Sequence, residues 1–502
     1  MAEPELFSAR GDLIDGRFVR PAGATGELRL EDPGDLGALD GAFPFSVEAL
    51  ESAVEAARHA HPAWRDAHPE ERAAYLRRFA TCIELERDRL AQLIAREVGK
   101  PLWEAATEVD AMVAKVEITL GPGLELIRER SFESGPGQRA RWRAHARGVL
   151  AVLGPFNFPG HLLHGHVVPA LATGNTVVVK PSEHAPATGQ LYAELAQRAG
   201  FPPGVLNLVQ GDGQVGARLA SHPDVQGVLF TGSYAVGRRI LEATLDQPFK
   251  IVALEMGGKN AVLVCADADP GQAAHAIAYG AAITTGQRCS ATSRVIVERP
   301  RADELIERLV RVFGGIHIGY GLDEDVFMGP LISAAARERH ARVLELAREE
   351  GAEILLEGGP VEGPRRGHYV RPSLHRVDRV SRTSPYQAEE HFVPDVHVVV
   401  VEDFDEAVAA LGCSDYGLAG SVFTSSRERF EHVLRESRLG LLNWNTSTVG
   451  ASSNLPFGGV GRSGNDRPAG VMSTLYCTYP IASLERLDPE PLPTPPGFPR
   501  SP

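Results

Sequence analysis

Two side chains in this chain of 502 residues are placed to do chemistry together. Cys289 stands in Gly286-Gln287-Arg288-Cys289-Ser290, and Glu255 in Glu255-Met256-Gly257-Gly258-Lys259, 34 positions earlier (289 − 255). A thiolate adds to a carbonyl carbon, and a carboxylate can then activate the water that releases the product. The glycines let main chain approach a ligand closely. Together the two segments point to covalent catalysis on an aldehyde. The other cysteines are Cys82, Cys265, Cys413 and Cys477, an odd and widely spaced set that makes neither a disulfide framework nor a zinc-type pair. Cys265 reads as a buried strand thiol and Cys82 as a helix-core one. Only Cys289 has neighbours that would support a thiolate.

Further segments offer partners. Glu255 is either a surface charge at a strand end or a base held at the mouth of a sheet, where open α/β folds bind ligands. Asn157, in Pro155-Phe156-Asn157-Phe158-Pro159, either satisfies a turn or joins the Cys289 backbone N–H in cradling an oxyanion. Lys180 and Glu183, in Lys180-Pro181-Ser182-Glu183, are either a helix start with an incidental ion pair or two groups for a ribose diol. In the second case Glu183 would repel a 2′-phosphate and favour NAD over NADP. Ser233, after Phe230-Thr231-Gly232, opens a helix whose N-terminus can bind a phosphate, although no Gly-x-Gly-x-x-Gly is present. His161, His164 and His166 fit no standard zinc spacing, so they are expected to line a pocket or helix face and no metal is expected.

The elements that must carry these groups can be read from apolar periodicity. Ser46 to Leu120 reads as helices, with Ser46 as an N-cap and Pro69-Glu70-Glu71 opening the second. From Val149 short apolar runs appear: Val149–Leu153, Thr176–Val179, Val205–Val209, Gly227–Phe230 and Lys250–Leu254. Helical stretches separate them, which predicts an α/β fold with a doubly wound parallel sheet. A second α/β series follows Glu255, with strands at Val295–Val297 and His397–Val401 and helices at Ala302–Phe313 and Ser333–Gly351. Ser131–Arg147 is either a solvated loop or a protruding hairpin. The tail after Asp488 has seven prolines in fourteen residues and is expected to be disordered or extended.

Composition narrows the function classes. A length of 502 residues implies two or three domains, and a net charge of −14 argues against nucleic acid or an anionic membrane as partner. An anionic substrate would need a locally basic pocket; Arg288, Arg294 and Arg467 are the candidates to meet a substrate carboxylate. No segment has the apolar length of a membrane span, and the first residues lack a signal-peptide pattern, so a cytoplasmic location is expected. Only five of the 51 basic residues are lysines, at 100, 115, 180, 250 and 259. Those five are expected where a compact ammonium is needed rather than a planar fork.

These motifs, in this order from about residue 45 to 485, resemble the NAD(P)-dependent aldehyde dehydrogenase superfamily. The resemblance implies an aldehyde dehydrogenase-like fold. Its parts would be a cofactor domain (1–128 and 148–256), an oligomerisation element (129–147 and 473–485), a catalytic domain (257–472) and a disordered tail (486–502). It implies Cys289 as nucleophile, Glu255 as base and Asn157 as oxyanion donor. NAD would be held by Lys180, Glu183, Ser233, Phe156, Gly257, Glu390 and Phe392, the last two positioning the nicotinamide ribose and ring. A homodimer or homotetramer is implied, with a small-molecule aldehyde as substrate. Within the superfamily the chain is most similar to semialdehyde-oxidising members of arginine catabolism. The residues are Asn157-Phe158-Pro159-Gly160-His161, Gly165-His166, Glu255–Gly258, Asn443-Trp444-Asn445, Gly450–Ser453 and Gly464–Pro468. The implied reaction takes a semialdehyde such as N-succinylglutamate 5-semialdehyde to the acid. The rivals are another aliphatic or amino-acid-derived aldehyde, a CoA-acylating enzyme, and a catalytically silent member serving as a binding or structural protein. Three departures stand out: Val393-Pro394-Asp395 where the family continues with Gly-Pro, Lys259 where the subgroup has Asn, and Ala291-Thr292-Ser293-Arg294 where it has Cys-Ala-Arg-Arg.

Overall fold

Apolar runs that can be buried on both faces set the architecture. The computed structural model describes residues 7–486 and 495–499, apart from 22, 38, 40, 136 and 364, so most of the proline-rich tail lies outside the described residues. Val149–Leu153 and Thr176–Lys180 are buried at every position, as central parallel strands require. The first seven-stranded sheet runs Ile251–Met256, Gly227–Gly232, Val149–Leu153, Thr176–Lys180, Leu206–Leu208, Asp12–Ile14, Arg17–Val19. The first five are parallel and the last two antiparallel. From Val149–Leu153 the chain winds outward to one side and then returns to the other, so the switch point lies between that strand and Gly227–Gly232. The sequence reading did not contain the two N-terminal strands.

Parallel register then lines up the residues of interest. Leu153 pairs with Lys180 and with Phe230, and Thr231 pairs with Glu255. Lys180, Thr231 and Glu255 therefore share one carboxyl edge, with Asn157 and Ser233 just beyond it. Glu255 lies inside its strand, not after it: the strand continues to Met256.

Three residues, Gly257 to Lys259, link this sheet to a second of seven strands. Its order is Glu353–Leu356, Ser373–Val377, Asp395–Val401, Thr292–Glu298, Asn260–Val264, Ala419–Phe423, Leu441–Trp444. Asn260 pairs with Thr292, so Cys289 sits just before the amino edge of this sheet, facing the carboxyl edge of the first. Cys265 is buried at the end of Asn260–Val264, as expected; Cys82 is only partly buried.

Helices Ala49–Asp66, Pro69–Leu85, Arg87–Val98 and Leu102–Ile118 fill the expected helical stretch. Ser46 is not the cap. The first helix starts three residues later, and the Ser46 hydroxyl accepts the Glu48 N–H in the turn before it. His68 caps the second helix, with Pro69 in its first turn. Ser131–Arg147 forms a hairpin: Arg130–Gly135 and Gln138–Ala146 pair antiparallel, and Thr478–Arg486 adds a third strand. Among the described residues, no helix is long and apolar enough to cross a membrane.

Candidate active site

The nucleophile loop is held in an unfavourable backbone shape by specific bonds. Thr284, Thr285 and Gly286 all adopt left-handed φ (52°, 55° and 69°) immediately before Gln287. That region costs energy for β-branched residues and persists only where the surroundings enforce it. Glu104 enforces it here, accepting both the N–H and the hydroxyl of Thr284, and Thr285 donates to the Gly329 carbonyl. Gly286 has a steric reason as well, since a Cβ would meet Val393 main chain at 2.5 Å. This is how Val393-Pro394 is accommodated. Beyond the bend, Asn157 Nδ2 donates to the Gln287 carbonyl, Asn260 Nδ2 to the Cys289 and Ala291 carbonyls, and Thr448 to the Ser290 carbonyl. The main chain on both sides of the thiol is thereby fixed.

Cys289 and Glu255 line one cavity of roughly 230 Å³, together with Phe158, His161, Gly165, His166, Thr231, Lys115, Arg288, Ser452 and Phe457. Burial pushes the Cys289 thiol up to about 12, and the charges of Glu390 and Glu255 push the same way; Arg288 and the Ser290 N–H oppose them. Burial likewise drives the Glu255 carboxyl well above its usual range. Its Oε1 accepts the Ala469 N–H at 3.2 Å, while Oε2 is buried and without a partner. An unsatisfied buried carboxylate oxygen is costly, and this one faces the same cavity as the thiol. Both reactive groups thus line one cavity, and burial favours the uncharged form of each.

The other predicted residues stand along the carboxyl edge of the first sheet. Lys180 Nζ donates to the Pro181 and Gly211 carbonyls and lies 3.6 Å from Glu183. Ser233 caps the Tyr234–Thr244 helix by accepting the Val236 N–H, leaving other first-turn N–H groups for an anion. Glu390 accepts the Gly258 N–H at 2.9 Å, and a Cβ at Gly257 would fall 1.7 Å from its carboxylate, so only glycine admits this approach. Phe392, at φ 58°, meets Phe156 edge-on at 5.9 Å. A paired lysine and glutamate, a helix end with open N–H groups, and a carboxylate near a Phe156–Phe392 pair are groups that could hold a dinucleotide.

The sequence candidates therefore divide. Cys289, Glu255 and Arg288 line the cavity; Asn157, bonded to the Gln287 carbonyl, lies outside its lining, as do Lys180, Glu183, Ser233, Phe156, Gly257, Glu390 and Phe392. Arg294 is buried away from it, donating to the carbonyls of Lys259, Ala410 and Leu411, and Arg467 bonds the Asp466 carbonyl outside it. Of the histidines, His161 and His166 line the cavity while His164 packs against Tyr192. His166 bonds the Tyr476 hydroxyl and Thr231. Among the described residues no group of three or more His, Cys, Asp or Glu is arranged for a metal.

The sequence reading missed Glu104 and Glu108 and singled out Lys115 only as one of five lysines; all three share the buried face of the Leu102–Ile118 helix. Charged residues interrupting an apolar stripe at steps of four and seven were the available signal. All five lysines are in fact buried. Lys100 lies 2.8 Å from Glu108 and 4.0 Å from Glu104, and Lys100 and Arg288 flank the Phe158 ring at 3.8 and 4.7 Å. Arg288 closes the network on Glu104 at 3.0 Å. Breaking one partner of a buried ionic set leaves an uncompensated charge, so Lys100→Met is expected to cost about 3–5 kcal/mol of stability. Urea unfolding measures it; an unchanged midpoint contradicts the assignment.

Comparison with known proteins gives the following. A sequence model of the aldehyde dehydrogenase family matches residues 29–480. N-succinylglutamate 5-semialdehyde dehydrogenase of Serratia proteamaculans is 41% identical over 495 residues, covering 97% of this chain and 96% of that one. Among solved structures, an NAD-dependent aldehyde dehydrogenase from Sinorhizobium meliloti superimposes with a TM-score of 0.92 at 31% identity, covering 98% of each chain. A 1-pyrroline-5-carboxylate dehydrogenase from Thermus with bound NAD gives 0.89 at 30% identity, covering 95% of this chain and 93% of that one.

Proposed function

The chain belongs to the aldehyde dehydrogenase family, and from that premise we propose that it oxidises a semialdehyde, N-succinylglutamate 5-semialdehyde or a close analogue, to the carboxylic acid with NAD. One observation carries the reading: the Cys289 thiol and the unpartnered Oε2 of Glu255 share one cavity. The Cys289 thiol gives its proton to solvent water and its sulfur adds to the aldehyde carbon. The resulting oxyanion is stabilised by the Asn157 amide and by the Cys289 backbone N–H. Loss of hydride then converts the thiohemiacetal to a thioester; bound NAD would supply the hydride acceptor, with Glu390 and Phe392 at its nicotinamide end and Lys180, Glu183 and Ser233 holding the rest. Glu255 then takes a proton from water, hydroxide attacks the thioester, and the acid leaves as the thiol is restored.

The carboxyl-edge placement of the cofactor residues supports the cofactor domain as 1–128 with 148–256, and 257–472 as the catalytic domain. The hairpin at 129–147 with 473–485 would join subunits into a dimer or tetramer. Its strand Arg130–Gly135 is exposed at every position and Phe132 and Leu484 lie open, a surface suited to burial by another copy. A cytoplasmic location suits such a metabolic enzyme. Formation of NADH tests the function against N-succinylglutamate 5-semialdehyde, glutamate semialdehyde and simple aliphatic aldehydes, with and without CoA. The expected result is a highest kcat/KM for the succinylated substrate and no response to CoA. A rate that needs CoA would favour an acylating enzyme, and no NADH from any aldehyde would favour a silent family member.

A further inference from the structure

Lys115 is a buried cation that the reaction above leaves without a task. Its ammonium lines the cavity and donates to the Gly470 carbonyl at 2.6 Å and the Ser473 hydroxyl at 3.3 Å, both neutral. Among the described residues no carboxylate stands within 4.0 Å of it. The other lysines differ. Lys100 is paired with Glu108, Lys180 with Glu183, and Lys259 feels Asp395 and Glu390. Lys250 sits away from the cavity on the Ala220 and His222 carbonyls. Burial lowers the Lys115 ammonium to about 8, which leaves it charged at neutral pH. A buried charge facing a cavity without a counter-ion is unfavourable until an anion enters.

Gly165 is a second, independent observation. It lies inside the His161–Ala172 helix and lines the same cavity, yet a Cβ there would meet nothing within 4 Å. Glycine inside a helix costs roughly 1 kcal/mol relative to alanine, and here no packing contact requires it. What its absence of a side chain leaves is open space in the cavity that Lys115 also lines. Of the other charged side chains of the lining, Glu255 is the base of the proposed reaction, and Glu108 and Arg288 are committed to other partners. Glu108 is taken by Lys100 and by the Gly160 and His161 N–H groups, and Arg288 is committed to Glu104, Thr284 and the Phe158 ring.

We propose that Lys115, with the open space at Gly165, is the subsite for a carboxylate carried by the aldehyde, so that the enzyme selects anionic semialdehydes over neutral aldehydes of equal length. The proposal rests on the reading of this cavity as the aldehyde site. It also moves carboxylate recognition from arginine to lysine: of Arg288, Arg294 and Arg467, the first two are committed and the third lies outside the cavity.

The test compares glutarate semialdehyde with pentanal, which has the same number of carbons and no charge. For the unmodified enzyme, kcat/KM is expected to favour the acid by about 10- to 100-fold, as a charge-assisted contact provides. Lys115→Met should collapse that ratio toward one, chiefly through KM for the acid, and Lys115→Arg should restore part of it. Gly165→Leu, which leaves the lysine in place, should penalise glutarate semialdehyde more than acetaldehyde. An unmodified enzyme with no preference for the acid overturns the subsite, as does a Lys115→Met variant that loses both substrates equally. An unmodified enzyme that turns over none of these aldehydes with NAD overturns the aldehyde dehydrogenase reading instead.

Discussion

Replacing Cys289 with alanine is expected to reduce aldehyde oxidation by about 10⁴-fold or more while NAD affinity stays within roughly 3-fold. The size of the effect follows from position. Among the described residues, Cys289 is the cysteine on the cavity wall. Cys265 and Cys477 are buried elsewhere, and Cys82 and Cys413 lie outside the lining, so no second thiol can take over. Cofactor binding should survive because Lys180, Glu183 and Ser233 lie along the first sheet, while the loop around residue 289 is held by bonds to main-chain carbonyls rather than to the sulfur. Steady-state NADH formation and NAD titration by fluorescence measure the two quantities. Turnover retained in Cys289→Ala would sink the covalent mechanism.

Glu255→Gln is expected to slow the steady state by about 10²–10⁴-fold while leaving a first burst of NADH close to one per site. Glutamine keeps the carbonyl oxygen that accepts the Ala469 N–H, so the strand and its neighbours should be undisturbed. What it loses is the basic oxygen at Oε2, which acts only after the thioester has formed. The pH dependence carries the same signature. A carboxyl raised above its usual range is harder to ionise, only its ionised form can take a proton from water, and raising the pH favours that form. The native rate should therefore climb from pH 6 toward alkaline values, and Glu255→Gln should lose that limb. The cavity histidines cannot supply it, because burial lowers His161 to about 4 and His166 to about 3, so both stay neutral throughout. A Glu255→Gln enzyme with undiminished steady-state rate after a normal burst would remove Glu255 from the role of base.

Several features were legible in the sequence because they follow from local rules. Runs such as Val149–Leu153, apolar at every position, can only be central strands, and their alternation with helices specifies a parallel sheet. Pro69 before two glutamates marks a helix start. Other features could not be read. The Ser46 cap failed because its hydroxyl caps a turn, and propensity does not distinguish the two. Strands Asp12–Ile14 and Arg17–Val19 are only three residues each and are defined by pairing across the chain with Leu206–Leu208.

The candidate site divides in the same way. Residue identity alone determined which groups could react: a thiol among polar neighbours, a carboxylate before two glycines, an amide between two prolines. Only the tertiary structure decided what each of them experiences. Contacts between residues 104 and 284 bend the nucleophile loop, register between Thr231 and Glu255 aligns the floor of the cavity, and burial sets the protonation of both reactive groups. It also decided that Lys115, rather than Arg288, Arg294 or Arg467, faces the cavity with an uncompensated charge. Chemical capability belongs to a side chain, but desolvation and counter-charges depend on neighbours far away in sequence, and no local pattern encodes them.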